Sequence, residues 1–124
     1  MRTILILDDD RRGAEALARR LRRLGYRCIV ATDAAVAFSL VIGGQVNLIV
    51  LELLLQRQSG LAFLRTLRSS PTGHDIPVVL WTPMAGSSLL KDAMSLGVLR
   101  CFLKTGGLEA LVEYIQSLPE SFPA

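Results

Sequence analysis

Five short runs of consecutive apolar residues punctuate the chain, at positions 4–7, 28–31, 48–51, 78–81 and 101–103. They are rich in Ile, Val and Leu and do not alternate with polar residues. That pattern predicts parallel strands covered on both faces. Helical periodicity fills the gaps. From about residue 11 to 24, Ala14, Leu17, Leu21 and Leu24 share one face, and Gly25 follows as a stop. A second helix is predicted over 33–42, ending at Gly43-Gly44. A third, over 60–68, sets Leu61, Leu64 and Leu67 three apart. The fourth covers about 87–96 before Gly97, and the fifth 108–118 before Pro119.

Strand and helix alternate five times, which predicts an α/β fold with a doubly wound parallel sheet. For five strands the expected order is 2-1-3-4-5, the flavodoxin-like arrangement. The 124 residues suffice for one domain, placed at 1–118, with 119–124 as a tail or the start of a linker.

Composition adds little to the fold and narrows the function. No charged-then-apolar leader opens the chain, and the longest apolar stretch, 34–51, is broken by Gly43, Gly44, Gln45 and Asn47. A cytoplasmic protein is expected, with no membrane partner. Cys28 and Cys101 lie in separate strands without C-x-x-C spacing, and read as small buried hydrophobes. Net charge is +3, but residues 11–27 alone carry +6, from seven arginines against Glu15. The apolar stripe of that helix belongs to the core and no aromatics interleave with the arginines. A solvated face is therefore expected, with binding of nucleic acid or an acidic partner as the alternative.

In an open parallel sheet, ligands sit beyond the carboxyl ends of the strands at the switch in strand order. The first strand ends in Asp8-Asp9-Asp10, the third in Glu52, the fourth in Trp81-Thr82 and the fifth in Lys104. Several carboxylates, one hydroxyl and one ammonium therefore converge on one edge. Clustered carboxylates suit Mg²⁺, a carboxylate can attack phosphorus, and a hydroxyl and a lysine can hold phosphoryl oxygens. An Asp-x-Asp hydrolase also opens after a strand, but Arg11-Arg12 follow where such enzymes need a threonine.

Over residues 3–118 the chain resembles the receiver domain of response regulators, including the single-domain chemotaxis regulator. The resemblance is carried by residues 4–10, by 47–52, by Gly60 with Leu64, Leu67 and Arg68, by 76–82, by Gly97 and by Phe102-Leu103-Lys104. It implies a metal site for Mg²⁺ built from Asp8, Asp9, Glu52 and the main-chain carbonyl of Leu54. It also implies Glu52 as the phosphoacceptor position, Thr82 and Lys104 as phosphoryl contacts, and Cys101 at the switch-aromatic position. The partners implied are a histidine kinase or an output domain.

The departures from the family have one direction. The acceptor is Glu52, not aspartate, and its added methylene moves the carboxylate about 1 Å into the space a phosphoryl group would take, enough to cost on the order of 100-fold in rate. Its longer arm places negative charge nearer Thr82 and Lys104, and a charge-assisted Glu52–Lys104 hydrogen bond is expected without any phosphate. Pro83 follows Thr82 where a small residue is usual, and restricts it. Cys101 cannot swing as a ring does, and Phe102 beside it points to the other face. Thr105-Gly106-Gly107 follow Lys104 where the family has proline. The expectation is a pseudo-receiver: a protein-interaction module of two-component signalling or a phosphorelay, not an enzyme and largely independent of phosphorylation. An ordinary Mg²⁺-dependent phosphoacceptor is the alternative. Apolar residues of 87–118, among them Leu89, Leu90, Met94, Leu99 and Tyr114, are expected to supply a homodimer or partner surface.

Overall fold

The computed structural model describes residues 2–83 and 86–119. The elements, in order, are β1 (Thr3–Leu7), α1 (Arg11–Arg23), β2 (Arg27–Ala31), α2 (Ala34–Ile42), β3 (Leu48–Leu51) and α3 (Gly60–Ser69). They continue as β4 (Val78–Thr82), α4 (Ser88–Met94), β5 (Arg100–Leu103), a 3₁₀ turn over Lys104–Gly106, and α5 (Glu109–Ser117). All strand pairs are parallel, in the order β2-β1-β3-β4-β5. The fold class and strand order are those read from the sequence, with element ends moved by one or two residues. Residues 120–124 of the expected tail lie outside the described residues.

The apolar strands are explained by two cores, one on each face of the sheet. Leu5, Leu7, Ile49, Leu51, Val78 and Leu80 pack with residues of α2, α3 and α4. Ile4, Ile6, Leu48, Val50, Val79 and Trp81 pack with α1 and α5. Strand residues alternate between the two faces, and because both are covered every residue of β1, β3 and β4 is buried. Cys101 joins the first core and Phe102 the second, so the expected alternation on β5 is present.

Short polar side chains start α1 to α4. Asp10 accepts from the Gly13 N–H at α1, and Asp33 from Ala35 and Val36 at α2. Ser59 accepts from Ala62 at α3, and Ser87 from Leu90 at α4. Each such cap contributes about 1 kcal/mol. Gly25, at φ +99°, turns the chain out of α1 in a conformation that costs a side chain dearly. Gly60 is needed for a different reason. A Cβ there would stand 2.5 Å from the Glu52 carbonyl oxygen and 2.6 Å from the Leu53 Cα. Its smallness lets α3 begin directly against the end of β3, and so fixes where Glu52 emerges.

Candidate functional site at the carboxyl edge of the sheet

β1 delivers Asp8 and β3 delivers Glu52 to adjacent positions, because these two strands are neighbours in the sheet. Both side chains are sunk below the surface: the residues are 2% and 3% exposed. Thr82, the last residue of β4, is equally buried at 2%. Lys104 opens the 3₁₀ turn after β5 and completes the group.

The bonding within this group differs in one respect from the sequence expectation. Thr82 Oγ1 donates to Glu52 Oε1 at 3.4 Å, and the Leu54 N–H donates to the same oxygen at 3.3 Å. Lys104, however, does not bond Glu52. Its Nζ donates to Asp8 Oδ2 at 2.6 Å, forming an ion pair whose side chains are 20% and 2% exposed. The same Nζ lies 5.1 Å from the centre of the Trp81 ring. The expected Glu52–Lys104 bond is thus replaced by an Asp8–Lys104 bond. Asp8 Oδ1 takes the Asp10 N–H at 2.9 Å, which leaves Asp8 well bonded. Glu52 is not: its Oε2 is buried and has no hydrogen-bond partner among the described residues.

The electrostatics follow from that burial. Desolvation pushes the Asp8 carboxyl above the usual carboxylate range, against the opposing pull of its Lys104 bond. Desolvation does the same to Glu52, and the nearby Asp8 charge adds to it, while Lys104 and the Thr82 bond pull the other way. Cys101 is half-buried, and its thiol is pushed up by desolvation and by Glu52. Cys28 is buried and its thiol is pushed up to about 11.

Asp9 is placed apart from this group. Its carboxylate accepts the Gln56 N–H and faces an open cavity of about 560 Å³ with Arg11, Thr32, Asp33 and Arg57 around it. Oxygen donors of the kind Mg²⁺ takes are therefore present in Asp8, Asp9 and Glu52. They are not gathered to receive it, since Lys104 holds Asp8 and Gln56 holds Asp9. Among the described residues, no three His, Cys, Asp or Glu side chains form a ready metal cluster.

Two further residues shape the edge through bonds that the sequence does not show. Gln58 accepts the Ala34 N–H at 2.8 Å through its side-chain oxygen and donates to the Thr32 carbonyl at 3.4 Å, tying the loop after β3 to the start of α2. Arg68 of α3 donates to the carbonyls of Leu96 and Ile76, both at 2.7 Å, and more loosely to Gly73, His74 and Gly97. It thereby joins the entries of β4 and β5, the strands that aim Thr82 and Lys104.

Elsewhere the surface matches a plain reading. His74 is exposed and pairs with Asp75. On α1, Arg11 and Arg22 both lie near Glu15, and Arg20 pairs with Glu109. Of the apolar residues of 87–118, Val98, Leu111, Val112 and Ile115 belong to the two cores and Leu89, Leu90, Leu99 and Tyr114 pack partly against them, whereas Met94 is 43% exposed. No helix among the described residues is long and apolar enough to cross a membrane.

Comparison with known proteins agrees with this geometry. The family model for the response regulator receiver domain matches residues 4–116. Response regulator MprA of Mycobacterium sp. (strain KMS) is 32% identical over 115 residues, covering 93% of this chain and 49% of the relative. MprA of Mycobacterium leprae is 33% identical with similar coverage. The chain spans about half the length of these curated relatives. Among solved structures, Vibrio cholerae chemotaxis protein CheY4 superposes with a TM-score of 0.86 at 18% identity, covering 96% of this chain and 99% of that one. Response regulator TrrA of Thermotoga maritima, solved in complex with Mg²⁺ and BeF, superposes at 0.79 with 25% identity, covering 96% and 100%. By the family match along nearly all its length, and by the strand order that its residues build, this chain belongs to the response regulator receiver domain family.

Proposed function

We propose that this receiver domain works in two-component signalling as a protein-interaction module that does not depend on phosphorylation, and that it is not an enzyme. The observation that carries the reading is the state of Glu52. Glu52 is 3% exposed, and its Oε1 already accepts, at 3.4 Å, the Thr82 hydroxyl that a phosphoryl oxygen would otherwise engage. A nucleophile so buried, with desolvation favouring its protonated form, is poorly placed to attack phosphorus. Thr82 is thus held by the protein's own acid. Cys101 cannot report on the site as a swinging ring would.

The partner on this reading is a cytoplasmic signalling protein, a histidine kinase or an output domain. The face of α4, β5 and α5 is the contact surface we assign to it, or to a second copy of the chain. Met94 and Leu103 are its exposed apolar residues, at 43% and 39%. Were Mg²⁺ to bind, Asp8, Asp9, Glu52 and the Leu54 carbonyl would hold it and neutralise their charge.

An ordinary phosphoacceptor is the second reading, favoured by the survival of Asp8, Thr82 and Lys104 at one edge. The experiment that separates the two is intact mass after incubation with acetyl phosphate and Mg²⁺, for the wild type and for Glu52→Asp. Addition of a phosphoryl group by Glu52→Asp alone supports the proposal. Addition by the wild type refutes it.

A further inference from the structure

Helix α2 is apolar on every side. Ser39 is its one polar side chain, and no charged residue stands between Ala34 and Leu51. A helix of that composition is normally buried. Here only Ala37 and Val41 are fully buried. On its outer side Val36 and Ile42 are 55% and 57% exposed, more than any other large apolar residue among those described.

This outer side borders a groove. Two cavities, of about 280 and 420 Å³, lie between α2 and α3 and share Phe38 and Thr66, so they run into one another. Ala62 lines one end, Ile42 and Ser69 the other, and none of the lining residues is charged. The serine hydroxyls of the two helices are already bonded. Ser39 donates to the Ala35 carbonyl at 3.1 Å and Ser69 to the Arg65 carbonyl at 3.0 Å, so neither needs a partner outside its own helix.

What covers this face must itself be uncharged, because a charge buried here would find no counter-charge. The chain carries a fitting element in α2. A second copy can lay its α2 against the groove while offering its own groove in return, which is the self-complementary contact of a two-fold dimer. Charge favours the same occupant. The net charge is +3, with +6 in residues 11–27. Helix α1 packs on the opposite face of the sheet from α2 and α3. Two copies joined through α2 therefore hold their α1 arginines apart. A lipid surface would call for basic residues among the apolar ones, and the groove has none.

We propose that the uncharged outer face of α2, with its groove against α3, is a homodimer contact of this chain. It leaves the face of α4, β5 and α5 open to a signalling partner and does not depend on whether Glu52 accepts phosphate. Nine residues make a helix only about 13 Å long. The contact is small, and a dimer that dissociates in the micromolar range or above is expected.

The test is sedimentation equilibrium of the full chain, up to about 0.5 mM. The wild type should dimerise. Ile42→Lys should weaken the dimer at least tenfold and Val36→Lys severalfold, whereas Met94→Lys, on α4, should leave it unchanged. All three side chains are well exposed, so the folded chain tolerates the lysine. Added salt should not weaken the dimer, since no ion pair crosses it. A wild type that stays monomeric throughout overturns the proposal and gives the groove to an apolar helix of another protein. A dimer unmoved by Ile42→Lys, lost in Met94→Lys or dissolved by salt overturns it as well.

Discussion

Replacing Arg68 should cost far more than its place on a helix surface suggests. Its guanidinium makes two short bonds, to the Leu96 and Ile76 carbonyls at 2.7 Å, and three longer ones at 3.3 to 3.5 Å. Hydrogen bonds from a charged donor contribute about 1.5–3 kcal/mol each, and carbonyls left without a donor lose more where water cannot reach them. Arg68 is only partly buried, and burial lowers its pKa, so part of its attraction is offset by its own desolvation. Counting the two short bonds at the low end, and ignoring the longer ones, Arg68→Met should lose about 3 kcal/mol of unfolding free energy. Met keeps most of the stem, so the loss reports the guanidinium. Arg68→Lys should recover only part of it, because one ammonium cannot repeat a planar fork across two loops. Urea unfolding followed through Trp81, the single tryptophan, measures both variants. A loss below about 1 kcal/mol in Arg68→Met, the size of an ordinary surface change, would refute the reasoning.

Two further predictions concern the site's footing. Gly60→Ala forces a methyl against the backbone of Glu52 and Leu53. Overpacking of that kind costs about 1–3 kcal/mol, so the midpoint of thermal unfolding should fall by several degrees; an unchanged midpoint would contradict the packing. The second concerns pH. Burial raises Asp8 and Glu52 above their unfolded values, so over that window the folded chain binds more protons than the unfolded one. Stability therefore falls as pH rises from about 4, the ordinary carboxylate value, through the raised folded values. Glu52→Gln removes one of the two groups and should flatten the fall. Urea midpoints for both proteins between pH 5 and 8 check this, and parallel profiles would contradict it.

The sheet was legible because parallel strands covered on both faces leave an unbroken apolar run, as residues 4–7 and 48–51 do. Caps and stops such as Asp33 and Gly25 are local chemistry, and their helices began and ended within a residue or two of expectation. Bringing Asp8, Glu52, Thr82 and Lys104 to one edge needed only strand order. Side-chain aim was not legible. Lys104 follows a strand end that neighbours two carboxylates, and strand order alone does not say that it bonds Asp8 rather than Glu52. The bonds of Arg68 and Gln58 were not foreseen because their partners are backbone groups, which every residue carries and no sequence pattern marks. The cavity beside Asp9 was missed for a related reason. Its walls come from three separate segments, with Arg11, Thr32, Asp33, Gln56, Arg57 and Gln58 around Asp9.

The central claim is that Glu52 keeps this receiver domain from taking up a phosphoryl group. Intact mass after acetyl phosphate and Mg²⁺ addresses it most directly, with wild type and Glu52→Asp side by side. The account predicts an unmodified wild type and a Glu52→Asp chain heavier by one phosphoryl group. A phosphorylated wild type would contradict it.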